Sequence, residues 1–141
     1  MPAGQLRTGR PVDDLILPFL DDAARSLRSA AAEFARTSLA PNHSREQFSR
    51  ETWRLCAEFG AHGVTVPTRF GGRAGGAVQL AALLEGLGYG CPDGGLLLAL
   101  ESHVCGAVVP IASFGSDALK ERYLPALAKG EWIGAHCISE P

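Results

Sequence analysis

A chain of 141 residues with a hydrophobic fraction of 46%, a charged fraction of 20% and a formal net charge of -2 has room for one hydrophobic core and carries no surplus of positive charge. A complete domain of this size buries roughly two thirds of the surface that its unfolded chain exposes. The charge balance argues against a nucleic-acid or anionic-membrane partner, and no apolar run reaches the roughly 18 residues that a membrane span needs.

Residues 1–20 form a lead that is expected to be partly disordered. Pro11 and Pro18 punctuate it, and it lacks the continuous apolar stretch of a signal peptide. Leu20, Ala23, Ala24, Leu27, Ala30, Ala31 and Phe34 then recur at three- and four-residue steps, the spacing of one helix face. This predicts an amphipathic helix ending before Pro41, with Asp21 and Asp22 favourable at its positive end. A second helix is expected from about Ser44, because Ser44-Arg45-Glu46-Gln47 has the pattern of a capping box. It would bury Phe48, Trp53 or Thr52, Leu55, Cys56 and Phe59, and stop at Gly60.

Between 61 and 76 the chain is too densely punctuated to continue a helix, by Gly63, Pro67, Gly71, Gly72, Gly75 and Gly76. The paired glycines suggest a phosphate cradle but lack the Lys-Ser/Thr of a P-loop and the spacing of a dinucleotide fingerprint, so a turn requiring positive φ is expected. The third helix carries Leu80, Leu83, Leu84 and Leu87 on one face and ends in Gly88-Tyr89-Gly90.

Residues 96–114 are apolar on nearly every side, which predicts a central helix buried nearly all round, too short and too interrupted by Glu101, Ser102 and His103 to span a membrane. A carboxylate there costs several kcal/mol if buried alone, so Glu101 must pair, protonate or face water; a pairing with His103 or an exposed face is expected. The last helix begins at Ser116, whose hydroxyl can cap free amides, and stops at Gly130 with Pro125 kinking it. Residues 132–139 read as a strand whose partner lies outside these 141 residues. The expected fold class is all-α, a bundle of about five to six helices with a short C-terminal β tail.

Cys56, Cys91, Cys105 and Cys137 contain no Cys-x-x-Cys pair, which gives no indication of zinc or a redox motif; buried free thiols in a reducing cytoplasm fit best. No metal site is expected.

Four segments carry a family resemblance. Phe114-Gly115-Ser116-Asp117, with Lys120, Tyr123-Leu124-Pro125, Leu127-Ala128 and Gly130-Glu131 behind it, leads to Ile138-Ser139-Glu140-Pro141. This resembles the end of the N-terminal helical domain of acyl-CoA dehydrogenases, where a Thr/Ser-Glu-Pro turn opens a flavin-holding β-domain. Val66-Pro67-Thr68-Arg69-Phe70-Gly71-Gly72 is similar to that family's Val-Pro-Glu-x-Tyr/Phe-Gly-Gly turn, and Leu84-Glu85-Gly86-Leu87-Gly88 to its Leu-Glu-Glu-Leu-Gly helix end. The resemblance implies a layout of lead (1–20), helical domain (21–131) and the start of a truncated β-domain (132–141).

It also implies a reaction, α,β-desaturation of an acyl thioester. A carboxylate takes the α-proton, the β-hydride passes to FAD, and hydrogen bonds stabilise developing enolate charge. In that family the base comes from a C-terminal domain, so no catalytic residue is expected here and the chain is expected to be inactive alone. By position in the motif, His136, Ile138 and Ser139 are implied to lie beside the flavin ring; packing for His136 and turn capping for Ser139 are the alternatives. Leu97, Leu100, Glu101 and Val104 are implied to line the acyl pocket, although core packing would select the same apolar residues. The implied partners are an acyl-CoA or acyl carrier protein thioester and the missing domains or a chain carrying them, in a homo- or hetero-oligomer. A non-catalytic binding or regulatory module, or one subunit of a split dehydrogenase acting on carrier-protein substrates, is the alternative.

Overall fold

The computed structural model describes residues 20–42, 47–137 and 139. The expected lead, up to residue 19, the Ser44 capping box and Ile138 lie outside the described residues.

Five helices make up the described part. Helix α1, Asp22–Phe34, starts where Asp21 accepts a hydrogen bond from the Ala24 amide at 2.7 Å. It continues through a π turn, Ala35–Leu39, and a 3-10 turn, Ala40–Asn42. Helix α2 runs Arg50–Phe59, later than expected, because Ser49 holds the extended backbone and accepts from the Thr52 amide. That boundary leaves Phe48 outside the helix and 50% exposed, where burial was expected, while Trp53 and Cys56 enter the core. Gly60 closes α2 with φ of 85°, a conformation that glycine reaches without strain.

Helix α3, Ala77–Gly90, packs along α1 at very short range. A Cβ on Gly86 would stand 2.3 Å from the Arg28 carbonyl oxygen, and one on Gly90 would stand 2.5 Å from that of Ala32. Two glycines four apart therefore form a groove that admits the α1 backbone, and Ala31 and Ala35 fill it at 0% exposure. Arg28 lies at the rim and bonds Glu85 from α1 to α3, Nε to Oε2 at 2.9 Å.

Helix α4, Gly94–Phe114, is the central element: α-helical over Gly94–His103, a π turn over Val104–Val108, and α-helical again over Val109–Phe114. Pro110 has no N–H to give to the preceding turn, and the helix passes it by widening rather than breaking. At 21 residues, with an 18-residue window of mean hydropathy 1.7, it is long and apolar enough to cross a membrane by length and composition, which corrects the expectation that it is too short. The expectation of burial nearly all round also fails, since 28% of its most apolar window is buried. Leu96, Leu100, Val104 and Val108 face the bundle, while Leu98 is 65% exposed and Phe114 is 89% exposed.

Helix α5, Asp117–Ala128, is capped by Ser116 and carries Pro125 inside it. Its Leu124, Leu127 and Ala128 pack with Val66, Phe70 and Val108 in a second, smaller core beside the main one.

Candidate functional site

The loop between α2 and α3 settles whether its glycines cradle an anion. The Gly72 amide donates to the Pro67 carbonyl, Arg73 to Gly63, Ala74 to Val66 and Gly75 to Val64. These N–H groups are consumed within the loop, and a Cβ on Gly72 would stand 2.1 Å from the Val66 oxygen. The glycines permit a tight turn, with Gly71 at φ of 86°, and leave no ring of donors for a phosphate.

After α5 the chain turns at Gly130, with φ of 67°, and runs back across the bundle. Trp53 Nε1 donates to the Gly130 carbonyl at 3.1 Å, and the Glu131 amide donates to the Ala126 carbonyl at 3.0 Å. The Gly134 amide donates to His103 Nδ1 at 2.9 Å, and His103 Nε2 lies 3.2 Å from the Leu127 carbonyl oxygen. Gly134 can come this close because it has no side chain, for a Cβ there would meet Ala107 at 2.3 Å. Beyond it, His136 passes Gly106, whose added Cβ would stand 3.1 Å from that of His136.

No strand forms over 132–137; the strand expected over 132–139 was one whose partner is not among these residues. A strand needs a ladder partner; without one here, this backbone bonds a helix side chain and the end of α5 instead. The result is an ordered segment lying along α4, with His136 and Ser139 exposed and Trp132 and Ile133 exposed at 48% and 43%. An exposed hydroxyl, an exposed imidazole and apolar surface on one extended segment suit the polar edge of a planar heterocycle, and so fit one side of a flavin ring. They do not hold its phosphates.

Beneath the segment lie three rings packed edge-on. His62 meets Trp53 edge-on at 4.2 Å between centroids, and His103 meets each of them at 5.2 Å. All three are at most 1% exposed. Burial first, then the neighbouring His103, pushes the His62 pKa down to about 3; burial also lowers that of His103, against the pull of the Leu127 carbonyl. Neither ring nitrogen of His62 has a hydrogen-bond partner among the described residues. Sequence reasoning missed this cluster. The available signal was His103 itself, a polar residue breaking an apolar run.

The four acyl-pocket candidates separate. Leu100 and Val104 are 0% exposed within the main core, and Leu97 packs half-buried against it. Glu101 is half-exposed and does not pair with His103, since residues two apart on a helix point to different sides. It faces the exposed Cys105 thiol one turn on, and that thiol is pushed up by partial burial and then by the Glu101 carboxylate. On the same open side of α4, a cleft of about 390 Å3 lies against the start of α3, lined by Thr65, Gly76, Leu80, Cys105, Val109 and Ser113. Within it, Thr65 Oγ1 is buried without a hydrogen-bond partner among the described residues.

The family model described as "Acyl-CoA dehydrogenase, N-terminal domain" matches residues 21–131. Among curated proteins, L-prolyl-[peptidyl-carrier protein] dehydrogenase of Pseudomonas fluorescens is 35% identical over 124 residues, covering 86% of this chain and 32% of that protein. Mitochondrial isovaleryl-CoA dehydrogenase of Pongo abelii is 34% identical over 137 residues, covering 93% of this chain and 32% of that protein. Among solved structures, the FAD complex of PigA superposes with a TM-score of 0.76 at 34% identity, over 81% of this chain and 31% of that one. The chain thus spans about a third of the length of the relatives it matches.

Proposed function

The chain belongs to the acyl-CoA dehydrogenase family, and on that premise we propose that it forms the N-terminal helical wall of a flavin-dependent enzyme that desaturates an acyl thioester. The observation that carries this reading is the segment after Gly130, pinned along α4 with His136 and Ser139 exposed. When bound, FAD supplies the hydride acceptor. The role proposed for this chain is to fix one edge of that cofactor, with the Ser139 hydroxyl and the backbone of the segment as hydrogen-bond partners, and with Ile138 and His136 beside them.

The open side of α4 forms the proposed wall of the acyl pocket. Glu101 borders it together with Leu98 and Cys105, while Leu97, Leu100 and Val104 support it from the core. The thioester, and not its carrier, is what transfers from the relatives, because their names include both a carrier-protein and a CoA enzyme. The base that takes the α-proton belongs, on this reading, to the part of the relatives that this chain does not span. Of the four free cysteines, Cys56 and Cys91 are buried as expected, whereas Cys105 and Cys137 are exposed, which corrects the expectation for those two; thiols left unpaired support a reducing, cytoplasmic setting.

The test is direct titration. The 141-residue chain alone should bind FAD no tighter than about the micromolar range and should not turn over an acyl thioester, because one edge of a ring supplies only a few hydrogen bonds. Tight stoichiometric binding with a shifted flavin spectrum would refute the reading.

A further inference from the structure

We propose that His103 is a positioning residue: as a neutral imidazole protonated on Nε2, it clasps the segment after α5 to α4 and so sets where His136 and Ser139 are presented. The two bonds of the ring determine its state. The Gly134 amide can only donate, so Nδ1, at 2.9 Å, must be bare; the Leu127 carbonyl can only accept, so Nε2, at 3.2 Å, must carry the proton. One ring thereby ties three elements together: α4, on which it stands, the last turn of α5 and the returning segment.

The surroundings hold that ring still. It is 0% exposed, and Trp53 and His62 pack against it edge-on. Trp53 also takes the near end of the same segment through the Gly130 carbonyl, so the segment is fixed at two points four residues apart. At and beyond the second point the fit depends on glycines, Gly134 lying against Ala107 and Gly106 leaving room for His136. A segment pinned in this way can offer its outward groups to a ligand without first losing conformational freedom.

That the presented groups meet a flavin edge rests on the function proposed above, whereas the clasp itself does not. The experiment therefore reads the clasp without cofactor. In the 15N-labelled 141-residue chain, the His103 imidazole should show the Nε2–H tautomer, and the Gly134 amide should be protected from hydrogen exchange. His103→Leu should speed Gly134 exchange by about tenfold, the counterpart of one lost hydrogen bond, while amides in the first half of α4 keep their protection. His103→Asn, whose side-chain oxygen can take the place of Nδ1, should restore most of the protection.

An Nδ1–H tautomer, or Gly134 exchange unmoved by His103→Leu, overturns the proposal. Uniform loss of protection across α4 in both variants overturns it as well, since His103 would then be a packing residue only. If the clasp responds as expected but Ser139→Ala leaves FAD binding unchanged in an enzyme completed with the remaining domains, the flavin-edge reading fails and the clasp stands.

Discussion

At the scale of single residues, His62 and His103 make stability depend on pH, because burial lowers the pKa of both and both would charge more readily in an unfolded chain. With the folded pKa of His62 near 3 against an ordinary 6.5, the unfolded state binds more protons between those values. The stability due to keeping His62 neutral is thus fully present above about pH 6.5 and is lost as pH falls toward 3, on the order of a few kcal/mol, and the lowered pKa of His103 acts in the same direction. Urea unfolding at about pH 7 and about pH 5, above the ordinary carboxylate range, should show a clear drop, and His62→Leu should reduce that drop. An equal drop in the variant would contradict the assignment. His103 stood out in the sequence as a polar interruption, but its partners did not, because Leu127 and Gly134 offer only backbone groups and those leave no mark on side-chain pattern. Ser139 and His136 enter only through the motif that surrounds them, and their place beside a flavin stays a proposal.

Helix existence followed from apolar periodicity, and helix ends from caps, wherever local chemistry decided them: Asp21, Ser116, Gly60 and Gly130 all act as their residue types suggest. What local pattern could not show is how closely two elements approach. Gly86 and Gly88 look alike in sequence, yet only Gly86 lies against the α1 backbone. Gly86→Ala should destabilise the fold by about 1–3 kcal/mol through overpacking. Gly88→Ala, whose Cβ would meet only Leu97 at 3.9 Å, should be neutral or stabilising by up to about 1 kcal/mol. Thermal midpoints of the two variants check this, and equal shifts would contradict the groove. The same limit explains α4. Its composition announced a central helix, but an exposed side can be as apolar as a buried one, so burial all round was the wrong inference.

On the scale of the molecule, the described residues form a helical wall with a closed core. Outside it, α4 exposes Leu98 and Phe114 and the returning segment exposes Trp132 and Ile133. Apolar surface of this kind suits contact with further protein, and the chain spans about a third of the relatives it matches. On the function proposed above, these residues close a flavin site only when the rest of such a protein is present. The most direct test is to titrate FAD into a second chain carrying the remaining two thirds of the prolyl-carrier-protein dehydrogenase relative, with and without this chain. Adding the chain should tighten FAD binding by at least about tenfold, equivalent to roughly 1.4 kcal/mol. Identical affinity in its presence and absence, with the two chains shown to associate, would contradict the claim that these residues supply one edge of the cofactor site.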